Sequence, residues 1–331
     1  MKCRHVAITL VISFSVVCSV MSGELHDATV MGDIQRIKEL LSKGDNINEL
    51  GWPKTEDGKF QAAPLHWAVM LGKEEVAVFL IKNGANINVI GLDENDKVTP
   101  LDIAVIKKNE KMIRLLLKLG ANVEGIPENK QNWPLEEAVI DGSIEIAQIL
   151  LNHGANISRE GVDNDSLLNI AVISKQMKSI NFLLSKGVPV NVPDHNVEHT
   201  SALHWAALRG NKEIAQILID HGAKINSRAS YNGSTPLHDT VIYDVEYNFL
   251  HEFLADFLLS KGADINLVDN NGDTPLHKAV EKGSKDFVEL LLKKGAKAGI
   301  KNKSGKTPLA LAEEKENQAI IDLLKNPKPG N

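Results

Sequence analysis

Apolar and polar positions follow one compound rhythm along most of the chain. A leucine opens a short apolar stretch and a glycine or polar residue breaks it. A second stretch follows, with apolar residues three and four apart, and a glycine stops it. Leu65 to Leu71, then Gly72, then Val76, Phe79, Leu80 and Ile81, then Gly84 show the whole pattern. Spacings of three and four place apolar side chains on one face of a helix, so each unit predicts an inner and an outer helix. The opening leucines are Leu25, Leu65, Leu101, Leu135, Leu168, Leu203, Leu237, Leu276 and Leu309, which gives nine units. In seven of them a glycine stands nineteen residues after the leucine: Gly44, Gly84, Gly120, Gly154, Gly187, Gly222 and Gly295. Gly262 is the displaced equivalent in the seventh unit, and the last unit has none. A period near 33 residues marks a repeat architecture, in which stacking buries what one unit cannot bury alone.

The cleanest copy reads Thr274-Pro275-Leu276-His277-Lys278-Ala279. Proline fits the first helical turn because its missing N–H would be unpaired there. Threonine just before it can cap the helix. Glycine after the outer helix suits a left-handed terminus, and Asn86-Ile87-Asn88 begins a hairpin-like finger toward the next unit. Five units carry a Leu-His pair, at His26, His66, His204, His238 and His277; elsewhere Asp102, Glu136, Asn169 or Ala310 replaces the histidine. On this motif and period the chain resembles the ankyrin-repeat family from about residue 24 to 325.

The resemblance implies an all-α ankyrin-repeat solenoid of about nine helix-turn-helix units with short fingers. It implies that the motif histidines bond backbone between repeats. It also implies that partners are met by finger tips and by the concave face of the inner helices. The fifth and sixth residues after each opening leucine would point into that concavity. At the fifth position stand Val30, Met70, Ile106, Ile140, Ile173, Leu208 and Ile242, then Glu281 and Glu314. The sixth includes Met31, Leu71, Arg209 and Tyr243. If exposed, the apolar members form a stripe, and a contiguous exposed apolar patch marks an interaction site; the alternative is burial between neighbouring inner helices.

Departures from the period are where individuality lies. The first finger is longer by seven residues, around Trp52 to Gly58. The second, Val89 to Thr99, carries three extra and the fifth, Val192 to Ser201, two. Six more sit between or within the helices of the seventh unit, in Tyr243 to Leu250. Insertions in repeats become loops on one face, often the binding face. Six of the 15 aromatics lie between Tyr231 and Phe257. Phe253 and Phe257, four apart, read as outer-helix core, whereas Tyr243 and Tyr247 flank the insertion and are binding candidates. Trp52 and Trp133 lie in fingers and join them; Trp67 and Trp205, directly after the motif histidine, read as packing between repeats.

Composition narrows the function. The chain has 331 residues, 24% charged, with net charge −6 and no long run of one sign, so no nucleic-acid footprint is visible. Met1 to His5 is short and basic, Val6 to Met21 is uncharged and mostly apolar, and Ser22-Gly23 follows. That is the layout of a secretory signal over residues 1–23. An uncleaved anchor over 6–21 is the alternative, and then a membrane is a partner. Both cysteines, Cys3 and Cys18, fall in this leader, so the mature chain holds neither disulfides nor a cysteine nucleophile. Residues 326–331 form a Pro-Gly tail after the repeat domain at 24–325.

No H-E-x-x-H, G-x-S-x-G, P-loop or dinucleotide-binding glycine pattern is present. One finger, Asp194 to His199, gathers two histidines and two carboxylates and raises a metal-dependent activity as an alternative; otherwise no cofactor or small-molecule substrate is implied. The expected function is an exported, non-enzymatic scaffold that binds a protein or extended peptide. A passive membrane-anchored structural protein is a further alternative. The export signal and eukaryote-like repeats also suit a host-directed bacterial effector.

Overall fold

The computed structural model describes residues 23–51, 60–93, 96–126, 134–158, 166–191, 200–242 and 248–326. Among them are eighteen helices and three short strands. In chain order the helices come in pairs, inner then outer. These are α1 (Glu24–Met31) and α2 (Ile34–Ser42), α3 (Pro64–Met70) and α4 (Glu74–Lys82), α5 (Pro100–Ile106) and α6 (Glu110–Lys118). They continue with α7 (Pro134–Ile140) and α8 (Ile144–Asn152), α9 (Leu167–Ile173) and α10 (Met177–Ser185), α11 (Ala202–Leu208) and α12 (Lys212–Asp220). The last are α13 (Pro236–Ile242) and α14 (Asn248–Ser260), α15 (Pro275–Lys282) and α16 (Lys285–Lys293), α17 (Pro308–Glu314) and α18 (Gln318–Lys325). The nine units expected from the leucines are therefore nine helix pairs.

The chain forms two compact units. One comprises Met1–Ala138 with Glu145–Asn156, the other Val139–Ile144 with Ile157–Asn331. In the first, α3 packs on α1, α4 and α5. Its core repeats one pattern on α4 and α6: Val76, Ala77 and Leu80, then Met112, Ile113 and Leu116, all buried. In the second, α11 packs on α9, α12 and α13, and α15 on α13, α16 and α17. Ile214, Ala215 and Leu218 are fully buried there, as are Leu254, Ala255 and Leu258. Each such leucine contributes about 1.5–3 kcal/mol through the apolar area it removes from water.

The outer helices end as their glycines require. Gly84 has φ 97°, and the Ala85 N–H bonds back to the Leu80 carbonyl, satisfying a helix-terminal acceptor. Between the two helices of every pair but the seventh, whose connection lies outside the described residues, sits one left-handed residue. It is glycine at Gly72 (φ 67°), but Lys108, Lys175 and Glu316 hold the same place at φ 53°, 57° and 55°. These three bear the steric cost of a Cβ in that conformation.

The long first and second fingers meet in a small antiparallel sheet. β1 (Phe60–Gln61) pairs with β2 (Gly91–Asp93), which pairs with β3 (Asp96–Val98). A further bridge joins Gly51 and Ala62.

The seventh pair departs most. α14 has 13 residues where other outer helices have nine or eight. Leu254, Ala255 and Leu258 occupy the places of Ile214, Ala215 and Leu218 forty residues earlier, so the two helices end in register. The extra turn, residues 248–251, lies at the start. This register corrects the expectation that Phe253 is core: it takes the outward place of Glu213 and is 62% exposed, while Phe257 is buried.

Candidate functional site

The motif histidines act as joints. In each ring Nε2 faces a carbonyl of the next finger and therefore carries a hydrogen. His66 Nε2–H donates to the Val98 carbonyl at 3.2 Å, His204 to Ser234 at 3.2 Å, and His238 to Asp273 at 2.9 Å. His26 and His277 bond Ala62 and Lys306 in the same way, at 3.0 and 3.1 Å. Nδ1 is left to accept the backbone N–H three residues earlier, as His277 does from Thr274 at 3.1 Å. Thr274 Oγ1 also accepts from the His277 N–H, closing a reciprocal cap on α15. Burial holds His66, His204 and His238 down at about 4, so all three are neutral near pH 7.

The replacements keep part of this duty. Asn169 Nδ2 donates to the Thr200 carbonyl at 3.3 Å. Asp102 Oδ2 accepts from the Thr99 N–H and hydroxyl, each at 2.7 Å, but its Oδ1 is buried with no hydrogen-bond partner. Burial, opposed by the Thr99 bonds and aided by Glu137, pushes this carboxyl up to about 7. A carboxyl can donate where histidine does only while protonated.

A second inter-repeat device runs along the fingers, and reading by motif missed it. The side chain four residues after the outer-helix glycine accepts the backbone N–H two residues after the next such glycine. In the first unit Asn48 accepts from Asn86, Asn88 from Asn122, and Glu124 from Asn156, at 2.7–2.8 Å. In the second, Asn191 accepts from Lys224, Asn226 from Asp264, and Asn266 from Lys297, at 2.8–2.9 Å. Pro189 stands where such a donor is required and has no N–H. The recurrence of asparagine at that offset was visible in the sequence; its use between repeats was not.

The proposed partner-facing positions divide clearly. At the fifth position Val30, Met70 and Ile106 of the first unit are half-buried, as are Ile140, Ile173 and Leu208 of the second. Each presents apolar surface while also packing. Glu281 and Glu314 are exposed. At the sixth position Met31 is 66% and Leu71 39% exposed, and Arg209 is exposed. Met70 and Ile106 end the neighbouring helices α3 and α5, which pack together. Ile242 ends α13, but its side chain lies outside the described residues, as do Trp52, Trp133, Tyr243 and Tyr247. The Asp194 to His199 finger is outside them too. Trp67 and Trp205 are buried, in keeping with packing between repeats.

Among the described residues no group of three or more His, Cys, Asp or Glu could hold a metal ion. No helix among them is long and apolar enough to cross a membrane.

Comparison with known proteins agrees with this geometry. A family model of ankyrin repeats (three copies) matches residues 25–126, 65–161, 168–248 and 242–330. An ankyrin repeat protein of Fowlpox virus (strain NVSL) is 33% identical over 36% of this chain and 33% of its own length. Inversin of Mus musculus is 29% identical over 82% of this chain and 22% of its own. A Saccharomyces cerevisiae protein named as a probable 26S proteasome regulatory subunit, p28, is 28% identical over 78% of this chain and 95% of its own. The chain spans between 22% and 33% of the first four curated relatives it matches. With repeat models matched over nearly all of residues 25–330 and the helix pairs and histidine joints in place, the chain belongs to the ankyrin-repeat family.

Proposed function

We propose that this chain is an exported, non-enzymatic scaffold that binds a protein or extended peptide through its fingers and the inner-helix ends. The observation that carries this reading is the apolar residue kept half-buried at the fifth position of successive repeats. Such residues offer apolar contact from rigid helix ends, so little ordering cost opposes binding. Trp52, Trp133, Tyr243 and Tyr247 belong to the same proposal as finger and insertion contacts, since tyrosine and tryptophan are enriched at hot spots. Export rests on the leader at residues 1–23, and delivery to a host cell on that leader together with the eukaryote-like repeats. The test is affinity capture by wild type against Ile140→Asp and Ile173→Asp, each checked for folding by circular dichroism. Captured protein should fall sharply with either variant. Equal capture by folded variants would remove the inner-helix ends from the proposal. N-terminal sequencing of the mature chain tests export to the periplasm or beyond, and an intact leader counts against it; fractionation tests delivery to a host, and retention within the cell envelope counts against that.

A further inference from the structure

The seventh outer helix carries a feature that the repeat plan does not explain. At the second position of the outer helices the chain places Gln35, Glu75, Lys111, Glu145, Lys178, Glu213, Phe253, Asp286 and Ala319. Phe253 is the one large apolar residue of that row, and it is 62% exposed. Leu250, three residues earlier on the added turn, is 41% exposed. Residues three apart share a helix face, so the two form one apolar knob. The turn that bears Leu250 is not loosely attached. His251 is buried, and its Nε2–H donates to the Leu208 carbonyl at the end of α11, at 3.3 Å. Its ring lies 3.2–3.3 Å from where a Cβ on Gly210 would stand. In α12 the residue at this place is Asn211, which caps its own helix instead. The helix is therefore lengthened and tied down, with its apolar pair left in solvent.

The surroundings of that pair are acidic. α14 packs between α12 and α16, so Phe253 stands in the row between Glu213 and Asp286, both exposed. Glu252 is its neighbour in sequence. Partial burial raises the Glu252 carboxyl above its ordinary range, and the Asp286 charge raises it further, so these two acids lie close together. Two lysines share this neighbourhood: Lys212, the one cation on α12, sits 5.4 Å from the Phe257 ring, and Lys285 opens α16 beside Asp286, so three carboxylates stand against two cations. Asp256 is apart from these, being paired with Lys294.

We propose that this outer-helix face is a second docking surface, for a peptide segment bearing an aromatic or aliphatic anchor flanked by lysine or arginine. It is separate from the fingers and inner-helix ends: the apolar knob supplies the anchor site, and Glu213, Glu252 and Asp286 select basic flanks. Charge pairs at the solvent-exposed rim chiefly set specificity and salt dependence, while the aromatic buried on binding sets most of the affinity.

The test is selection of a phage-displayed random linear peptide library on the purified full chain, with Phe253→Ser as counter-selection. Enriched peptides should carry an apolar residue between lysines or arginines. Their Kd should rise roughly thirtyfold for Phe253→Ser, as truncation of a hot-spot aromatic does. It should rise about tenfold for the double variant Glu213→Gln, Asp286→Asn, and with added salt. Phe253→Ser should melt with wild type because its side chain is already solvated; if it does not, the double variant alone decides. No enrichment, enrichment without basic residues, or binding that Met70→Asp abolishes and both outer-helix variants leave intact would overturn the proposal. A dimer seen by sedimentation and lost in Phe253→Ser would overturn it too, because a second copy would then be the occupant.

Discussion

Replacing Asp102 by asparagine should stabilise the protein at alkaline pH, against the usual expectation for a buried change. Asp102 sits where five other units carry a histidine that donates to the next finger. Its ordinary value of 3.8 is pushed up to about 7 by burial. The folded chain thus holds this proton more tightly than the unfolded chain. Stability linked to Asp102 is fully present below pH 3.8, declines as pH rises, and is lost through pH 7. The gap between the two values corresponds to about 4 kcal/mol. Asparagine does not titrate, and the same fold already uses one here: Asn169 bonds the Thr200 carbonyl. Urea unfolding of wild type and Asp102→Asn at pH 5, 6, 7 and 8 isolates the group, because everything else cancels in the difference. The advantage of the variant should grow by roughly 3 kcal/mol between pH 5 and pH 8. Amide exchange in α5 and α6 should slow in parallel. An advantage that is flat across this range, or that shrinks as pH rises, would refute the argument.

The histidine joints predict the opposite slope in acid. His66, His204 and His238 lie at about 4 when folded against 6.5 unfolded, so the unfolded chain takes up protons first and stability falls from pH 6.5 toward pH 4. Each should remove about 2 kcal/mol between pH 7 and pH 5, visible as a falling melting midpoint; an unchanged midpoint would count against neutral joints. Lys108→Gly and Lys175→Gly relieve a left-handed Cβ at φ 53° and 57° and should each add about 0.5–1 kcal/mol by urea unfolding. Asn226→Ala removes one finger-to-finger bond, to the Asp264 N–H, and should cost about 1 kcal/mol. Loss of less than about 0.3 kcal/mol would mean that water replaces it without penalty.

The repeat plan was legible because it is written redundantly. Leucine, histidine and glycine recur at fixed offsets, and nine copies average out local exceptions such as Lys108 in a glycine place. The exceptions themselves were harder. Phe253 and Phe257 are four apart, which on one helix suggests a shared buried face. The structure buries Phe257 and turns Phe253 outward, because Leu254, Ala255 and Leu258 fix which face looks inward. Alignment of that triplet with Ile214, Ala215 and Leu218 would have shown it. The substitution at Asp102 was plain in the sequence, but its protonation depends on burial, which one position cannot reveal. The partner-facing residues were read through the family geometry, and the exposure of each depends on neighbours 33 residues away rather than on its own segment.

The asparagine bonds between fingers also say where this chain can change length. Each bond fixes a span of two residues after one glycine and four after another, so a residue gained inside that span would misplace a donor. The extra residues of the first, second and fifth fingers all fall beyond it, before the next inner helix. A guest sequence spliced after Asn226 or Asn266 should therefore leave both flanking repeats in register, whereas the same splice two residues earlier should not. The fold thereby supplies marked sites for grafting new recognition loops, one beside each of these six bonds.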